Sequence, residues 1–158
     1  MKNFNRRDLC IALSALAAVG SQTLEPQESQ AQAKSRDVLS KSRVWTFDEL
    51  PVKHNENGGA SRAVVQGVLA TGEPVEVHET TLAPGKMPHP PHKHRHSEFL
   101  FIREGELDYI NDGKPERVGP GSVVFSASNV MHGLKNVGTT PANYFVIAIG
   151  WADEKGPA

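Results

Sequence analysis

His92 and His94 flank Lys93, Glu98 follows four residues after His94, and His132 lies thirty-four residues beyond Glu98. Two imidazoles at i and i+2 fall on the same side of an extended strand, and a carboxylate four residues later keeps that parity, so all three can converge on one point. A fourth donor must arrive from elsewhere. His132 is the natural candidate, because it lies in a second valine-rich, strand-like segment ending in His132-Gly133-Leu134-Lys135-Asn136. Three neutral imidazoles and one carboxylate suit Mn, Fe, Ni, Cu or Zn better than Ca or Mg, which prefer mostly oxygen. Such an ion takes five or six donors, which leaves one or two positions for water, a substrate carboxylate or dioxygen. With no Cys-His or Ser-His pairing evident in the sequence, the chemistry falls to the metal, and Glu98 or a rim histidine is the proton acceptor to expect.

The residues around these donors have a pattern of their own. Gly85 precedes His92-Lys93-His94 and Glu98, and Gly105 follows six residues later; downstream come Pro120-Gly121-Ser122-Val123-Val124-Phe125, then Asn129-Val130-Met131-His132 and Asn136. This spacing, His-x-His-x3-Glu-x6-Gly followed by a Pro-Gly turn, a strand, a histidine and an asparagine, resembles the two motifs of the cupin superfamily over about residues 64–150. Two departures stand out. The interval from Gly85 to His92 is one residue longer than usual, and Ala127-Ser128-Asn129 replaces a Pro-x-Gly turn. Asn tolerates the left-handed backbone nearly as Gly does, so Asn129 can hold that turn. The resemblance implies His92, His94, Glu98 and His132 as metal ligands and Asn136 as a brace for its strand or turn. Within the superfamily such sites serve dioxygenases, decarboxylases, isomerases and lyases, as well as sensors and sugar-binding or storage modules.

The ends read differently from the middle. Arg6-Arg7 precedes an apolar run from Leu9 to Val19, and Ala31-Gln32-Ala33 offers small residues for cleavage before Lys34. The paired arginines resemble a twin-arginine export signal, so the protein is expected outside the cytoplasm, periplasmic or extracellular. The run of about 11 apolar residues is shorter than the roughly 20 that span a bilayer, so no stable membrane insertion of the mature chain is expected. Cys10, the only cysteine, would leave with the signal, so metal ligands in the mature chain must be nitrogen and oxygen. The remaining 125 residues, with 14 Lys+Arg against 15 Asp+Glu, suffice for one domain and lack the basic stripe that nucleic acid requires. The expected division is a signal over 1–33, an extension with an edge strand over 34–60, a barrel over 61–151 and a tail over 152–158.

Within that barrel the apolar pattern marks short strands. Val44-Trp45-Thr46-Phe47 reads as an opening strand, Leu50-Pro51-Val52 as a connector and residues 54–61 as a loop around Asn57-Gly58-Gly59. Residues 63–69 and 75–82 follow as strands, the second alternating apolar and polar at period two. After a proline-rich loop come strands over 98–103, 106–110, 114–118, 122–126, 131–136 and 142–149, with turns at Glu104-Gly105 and Asn111-Asp112-Gly113. Short strands without helical periodicity indicate an all-β antiparallel sandwich or barrel, and the cupin resemblance narrows this to a double-stranded jelly roll. Leu100 and Ile102 share parity with Glu98 and should line an apolar cavity. Phe99 and Phe101 point the other way, and an exposed apolar strand favours a homodimer. His89 and His96 are expected beside the site or in solvent, His54 and His78 as ordinary polar positions, and Tyr109 in the packing. These features point to an exported metal-dependent enzyme of dioxygenase-like or oxidoreductase type acting on a small-molecule ligand. A carboxylate or sugar-acid binding module and a structural metal in a dimeric jelly roll are the alternatives.

Overall fold

The computed structural model describes residues 37–56 and 58–151; the expected signal and C-terminal tail lie outside the described residues. Among the described residues, ten strands form two sheets. The larger runs in the order β1-β3-β4-β10-β5-β8, with β2 also on β3, and the smaller runs β7-β6-β9. The strands are β1 (Val38–Leu39), β2 (Val52–His54), β3 (Ala60–Leu69), β4 (Pro74–Leu82), β5 (Ser97–Glu104), β6 (Leu107–Asn111), β7 (Lys114–Val118), β8 (Val123–Ser126), β9 (His132–Asn136) and β10 (Ala142–Ile149). Every pairing is antiparallel except β1 with β3. Leu107, Tyr109 and Leu134 of the small sheet pack with Leu82, Leu100, Ile102, Val124, Tyr144 and Val146 of the large one, so the sheets face each other across one core. This is the all-β barrel that the strand pattern predicts and the jelly roll that the cupin resemblance implies. Among the described residues no helix is long and apolar enough to cross a membrane.

The turns follow from local chemistry. Asp112 and Gly113 both have positive φ, 46° and 82°, as a two-residue hairpin between β6 and β7 requires. Asn129 sits at φ 61° and holds the turn before β9 in the left-handed conformation anticipated for it. Gly105, at φ 85°, passes so close to β10 that a Cβ would stand 2.6 Å from the Ala142 Cα.

The N-terminal extension departs from expectation. Residues 44–47 do not form a strand; Phe47–Glu49 is a 3-10 turn, and Val44 is 83 % exposed. β2 and β1 pair with the two ends of this edge of β3, at residues 60–62 and at Val68 and Leu69, and residues 44–47, which lie between β1 and β2 in sequence, form no ladder. Phe47 instead lies beneath the guanidinium groups of Arg62 and Arg103, 4.3 and 5.6 Å from its ring centroid. The loop expected over 54–61 is correspondingly shorter, because Lys53 and His54 pair with Ser61 and Ala60.

Asn136 braces the barrel from within. Fully buried, it donates through Nδ2 to the carbonyls of Leu82 and Thr140, both at 2.9 Å, and accepts from the Gly138 amide at 3.0 Å. Asn136→Ala orphans these three backbone groups and is expected to cost about 3 kcal/mol in urea unfolding; a loss below roughly 0.5 kcal/mol would show that the brace is dispensable.

Candidate metal centre

The loop between β4 and β5 contains Pro84, Pro88, Pro90 and Pro91, which donate no backbone hydrogen bonds and stiffen the chain. Backbone bonds to β9 set its course, beginning with Gly85 and Lys86 against Asn136. His92 and His132 exchange backbone hydrogen bonds of 2.9 and 2.8 Å as an isolated antiparallel bridge, and the Asn129 amide bonds the His94 carbonyl at 2.7 Å. Gly133 allows the close approach, since a Cβ there would meet Pro91 at 3.1–3.3 Å. His92 and His94 therefore reach the site from a loop laid across β9, and not from consecutive inward positions of one strand; β5 begins only at Ser97.

This crossing brings the sequence-predicted donors together. One ligand atom from each of His92, His94 and His132 lies within 4.8 Å of the others. Glu98 enters from β5, with Oε1 3.2 Å from His94 Nε2 and Oε2 3.5 Å from His132 Nε2. A second, overlapping triad joins His94 and Glu98 with His96. His96 lies closer in than expected, its ring stacked on His94 at 3.6 Å and its Nε2 3.1 Å from Glu98 Oε1. His89 is exposed and meets His92 edge-on at 4.2 Å.

Hydrogen bonds fix which ring nitrogens face inward. His94 donates Nδ1–H to the His96 carbonyl and His132 donates Nδ1–H to the Val130 carbonyl, both at 2.9 Å, which leaves each Nε2 as a lone pair. His94 Nε2, His132 Nε2 and His92 Nδ1 are all buried without a hydrogen-bond partner. Buried orphan acceptors are costly, and a divalent cation satisfies all three at once. The donor set fits a first-row transition ion for the same reason. Burial pushes the pKa of His92 below 6.5, helped by the neighbouring imidazoles of His89, His132 and His94 against the pull of Glu98. Burial also lowers that of His94, with Glu98 and the His96 carbonyl opposing and the His96 and His132 rings assisting. Both are thus held in the neutral form that ligates metal.

His92, Glu98 and His132 open onto a cavity of about 450 Å³. Leu100 lines it as predicted, whereas Ile102, expected there too, lies in the core and away from the cavity wall. Tyr109 is buried in the wall with its hydroxyl 2.9 Å from Ser126 Oγ. The far wall was not anticipated. Glu76, His78 and Thr80 of β4 and Tyr144 of β10 line it, and His78, expected as an ordinary polar position, is hydrogen-bonded to Glu76. The period-two alternation of residues 75–82 does put Glu76, His78 and Thr80 on one face. That face reads as solvent-facing only if the barrel interior is taken to be apolar.

Residues 78–148 match the family model described as a cupin domain. The fold is that of a cupin. An RmlC-like cupin from Shewanella frigidimarina superposes with a TM-score of 0.59 at 18 % identity, covering 72 % of this chain and 96 % of its own. The polyketide cyclase RemF from Streptomyces resistomycificus gives 0.56 at 16 % identity over 75 % and 83 %, and a predicted oxalate decarboxylase from Thermotoga maritima 0.54 at 21 % over 69 % and 100 %. No curated protein sequence matches the chain. These likenesses establish the cupin architecture; activity must be argued from the site itself.

Metal removal tests the centre. The loop is tied by backbone bonds that need no ion, so chelation is expected to leave the β-rich circular dichroism intact while lowering the melting midpoint by on the order of 10 °C. The sign with pH follows from the lowered imidazoles. Above about pH 6.5 they are neutral in both folded and unfolded chains; as pH falls through 6.5 the unfolded chain takes up protons first. Metal affinity and stability should therefore both decline below that pH, and a pH-independent metal content between pH 7 and 5 would contradict the assignment.

Proposed function

We propose that this cupin is an exported, metal-dependent small-molecule enzyme of the dioxygenase-like oxidoreductase kind, with His92, His94, Glu98 and His132 holding the ion. The observation that carries the reading is the set of three inward-facing, unpartnered imidazole nitrogens beside a carboxylate at one end of a 450 Å³ cavity. A bound divalent ion would supply Lewis-acid polarisation and open positions for an oxygen donor. The chain's own residues do the rest. The His96 and Val130 carbonyls hold the tautomers of His94 and His132, and His96 steadies Glu98 Oε1 as a proton acceptor. Leu100, Leu134 and Val146 keep the cavity wall apolar, which favours an apolar ligand body and excludes water.

Elemental analysis of the purified protein identifies the ion, and N-terminal sequencing of exported material, expected to begin at Lys34, checks the export half of the proposal. Oxygen uptake is then measured with flavonoid, phenol and oxo-acid panels. Turnover that disappears in His94→Ala, by at least about a thousandfold, is the expected result. Ligand-induced stabilisation without any product would replace the enzyme by the carboxylate or sugar-acid binding module. Protein that binds no metal would sink both.

The outer face of β5 and β8 carries Phe99, Phe101, Val123 and Phe125, all at least 37 % exposed, with Phe99 and Phe125 rings 5.0 Å apart. β8 is also a sheet edge. An exposed aromatic edge of this kind is a site for a partner strand, and it supports a homodimer formed through this face. Sedimentation at micromolar concentration should give a dimer, and Phe125→Glu should shift it to monomer; a wild-type monomer would remove the proposal.

A further inference from the structure

We infer that His78, backed by Glu76, takes a proton from the molecule bound in the cavity, and that this molecule arrives neutral with an acidic O–H, as a phenol or an enol does. The inference rests on the metal reading above.

The first support is the pairing. Nδ1 of His78 lies 2.9 Å from each carboxylate oxygen of Glu76, so the ring donates Nδ1–H to the ionised carboxylate. In the neutral ring that leaves Nε2 as a free lone pair, and an imidazole oriented by a carboxylate in this way is the arrangement of a general base. Burial opposes protonation of His78, but its hydrogen bond to Glu76 and the charges of Glu76, Glu98 and Glu79 outweigh it and raise the pKa above 6.5.

Placement is the second. His78 and Glu76 line the same cavity as His92, Glu98 and His132. On β10, Ala148 is in register with both Glu76 and Glu98, and Val146 with both His78 and Leu100. β4 and β5 are therefore separated by a single strand, so their backbones lie roughly 10 Å apart. The intervening positions carry small or short side chains, and a small molecule can reach from the imidazole triad to His78 across them.

Charge and shape supply the ligand class. With Glu98 engaged by the ion and Glu76 by His78, the cavity lining offers no Lys or Arg to hold a ligand that enters as an anion. Leu100, Leu134 and Val146, with the rings of Tyr109 and Tyr144, fit a flat apolar body. A neutral O–H compound meets both conditions and becomes an anion only in place. The step balances within the site: the ligand O–H bond breaks, its electron pair stays on oxygen, the Nε2–H bond forms, and the imidazolium is held by Glu76.

The test uses the full chain loaded with zinc, a d10 ion without redox chemistry or visible bands of its own, and 4-nitrocatechol, whose phenolate absorbs in the visible. Zinc content, melting midpoint, probe affinity and the pH at which bound probe ionises are measured for wild type, His78→Gln and Glu76→Gln. Wild type should bind the probe as phenolate. Both variants should retain zinc and fold; His78→Gln should bind about ten- to a hundredfold more weakly and ionise the probe only at higher pH, with Glu76→Gln shifted the same way but less. Zinc-loaded wild type that leaves the probe unbound, or a His78→Gln protein indistinguishable from it, overturns the inference while leaving the metal reading intact. Protein that takes up no zinc overturns both.

Discussion

The two backbone hydrogen bonds between His92 and His132 are the constraint on which the site depends. They join a loop made inflexible by proline to the first residue of β9, and so place imidazoles that are forty residues apart in sequence on one side of the barrel. Neither partner could do this alone. The loop lacks amide donors at four of its positions and has no strand to extend, while β9 already pairs with β6 along its whole length. The space for the crossing comes from Gly133, where any side chain would push against Pro91. The ligand geometry is thus a consequence of backbone packing and would persist without an ion.

Preorganisation of this kind has an energetic cost that bears on function. Three buried ring nitrogens without partners each lose hydration worth about 1–3 kcal/mol. A purely structural loop has no need of such groups, since its backbone bonds already hold it. Nor do the imidazoles relieve the cost by protonating, because burial and their mutual repulsion hold His92 and His94 neutral. The donor set fits a cation, which would satisfy all three nitrogens at once, and the cavity lies beside it.

The strands were legible where an apolar run is strong, as in β5, where apolar and polar residues alternate, as in β4, and where turn chemistry is unambiguous, as at Asp112-Gly113 with its two positive φ angles. Spacing also identified the four residues that the fold brings together. What it could not give was the reason for their convergence: strand parity was the premise, and a loop crossing is the fact, because the bridge to β9 is a tertiary contact with no local signal. Residues 44–47 misled for a related reason. Their β propensity is real, but no ladder forms between β1 and β2, where Phe47 is engaged instead by the Arg62 and Arg103 guanidinium groups.

β4 shows why the rest of the site was hidden. Its alternation places polar residues on both faces: Glu76, His78 and Thr80 inward, Glu79 and Thr81 outward. Sequence alone cannot rank the two carboxylates, yet the fold gives them opposite fates. Glu79 is fully buried and fully engaged, by the Arg62 guanidinium at 2.9 Å, by the Thr81 hydroxyl at 3.0 Å and by the Asn143 amide, so it is locked as part of the outer packing. Glu76 is half-buried and bonded to one neighbour, His78, which itself faces open volume. A carboxylate that accepts hydrogen bonds on both oxygens from neighbouring side chains holds a sheet together. One that leaves its histidine free to meet a ligand can move a proton, and that difference in engagement, more than burial or charge, separates the chemistry-bearing face of β4 from its structural one.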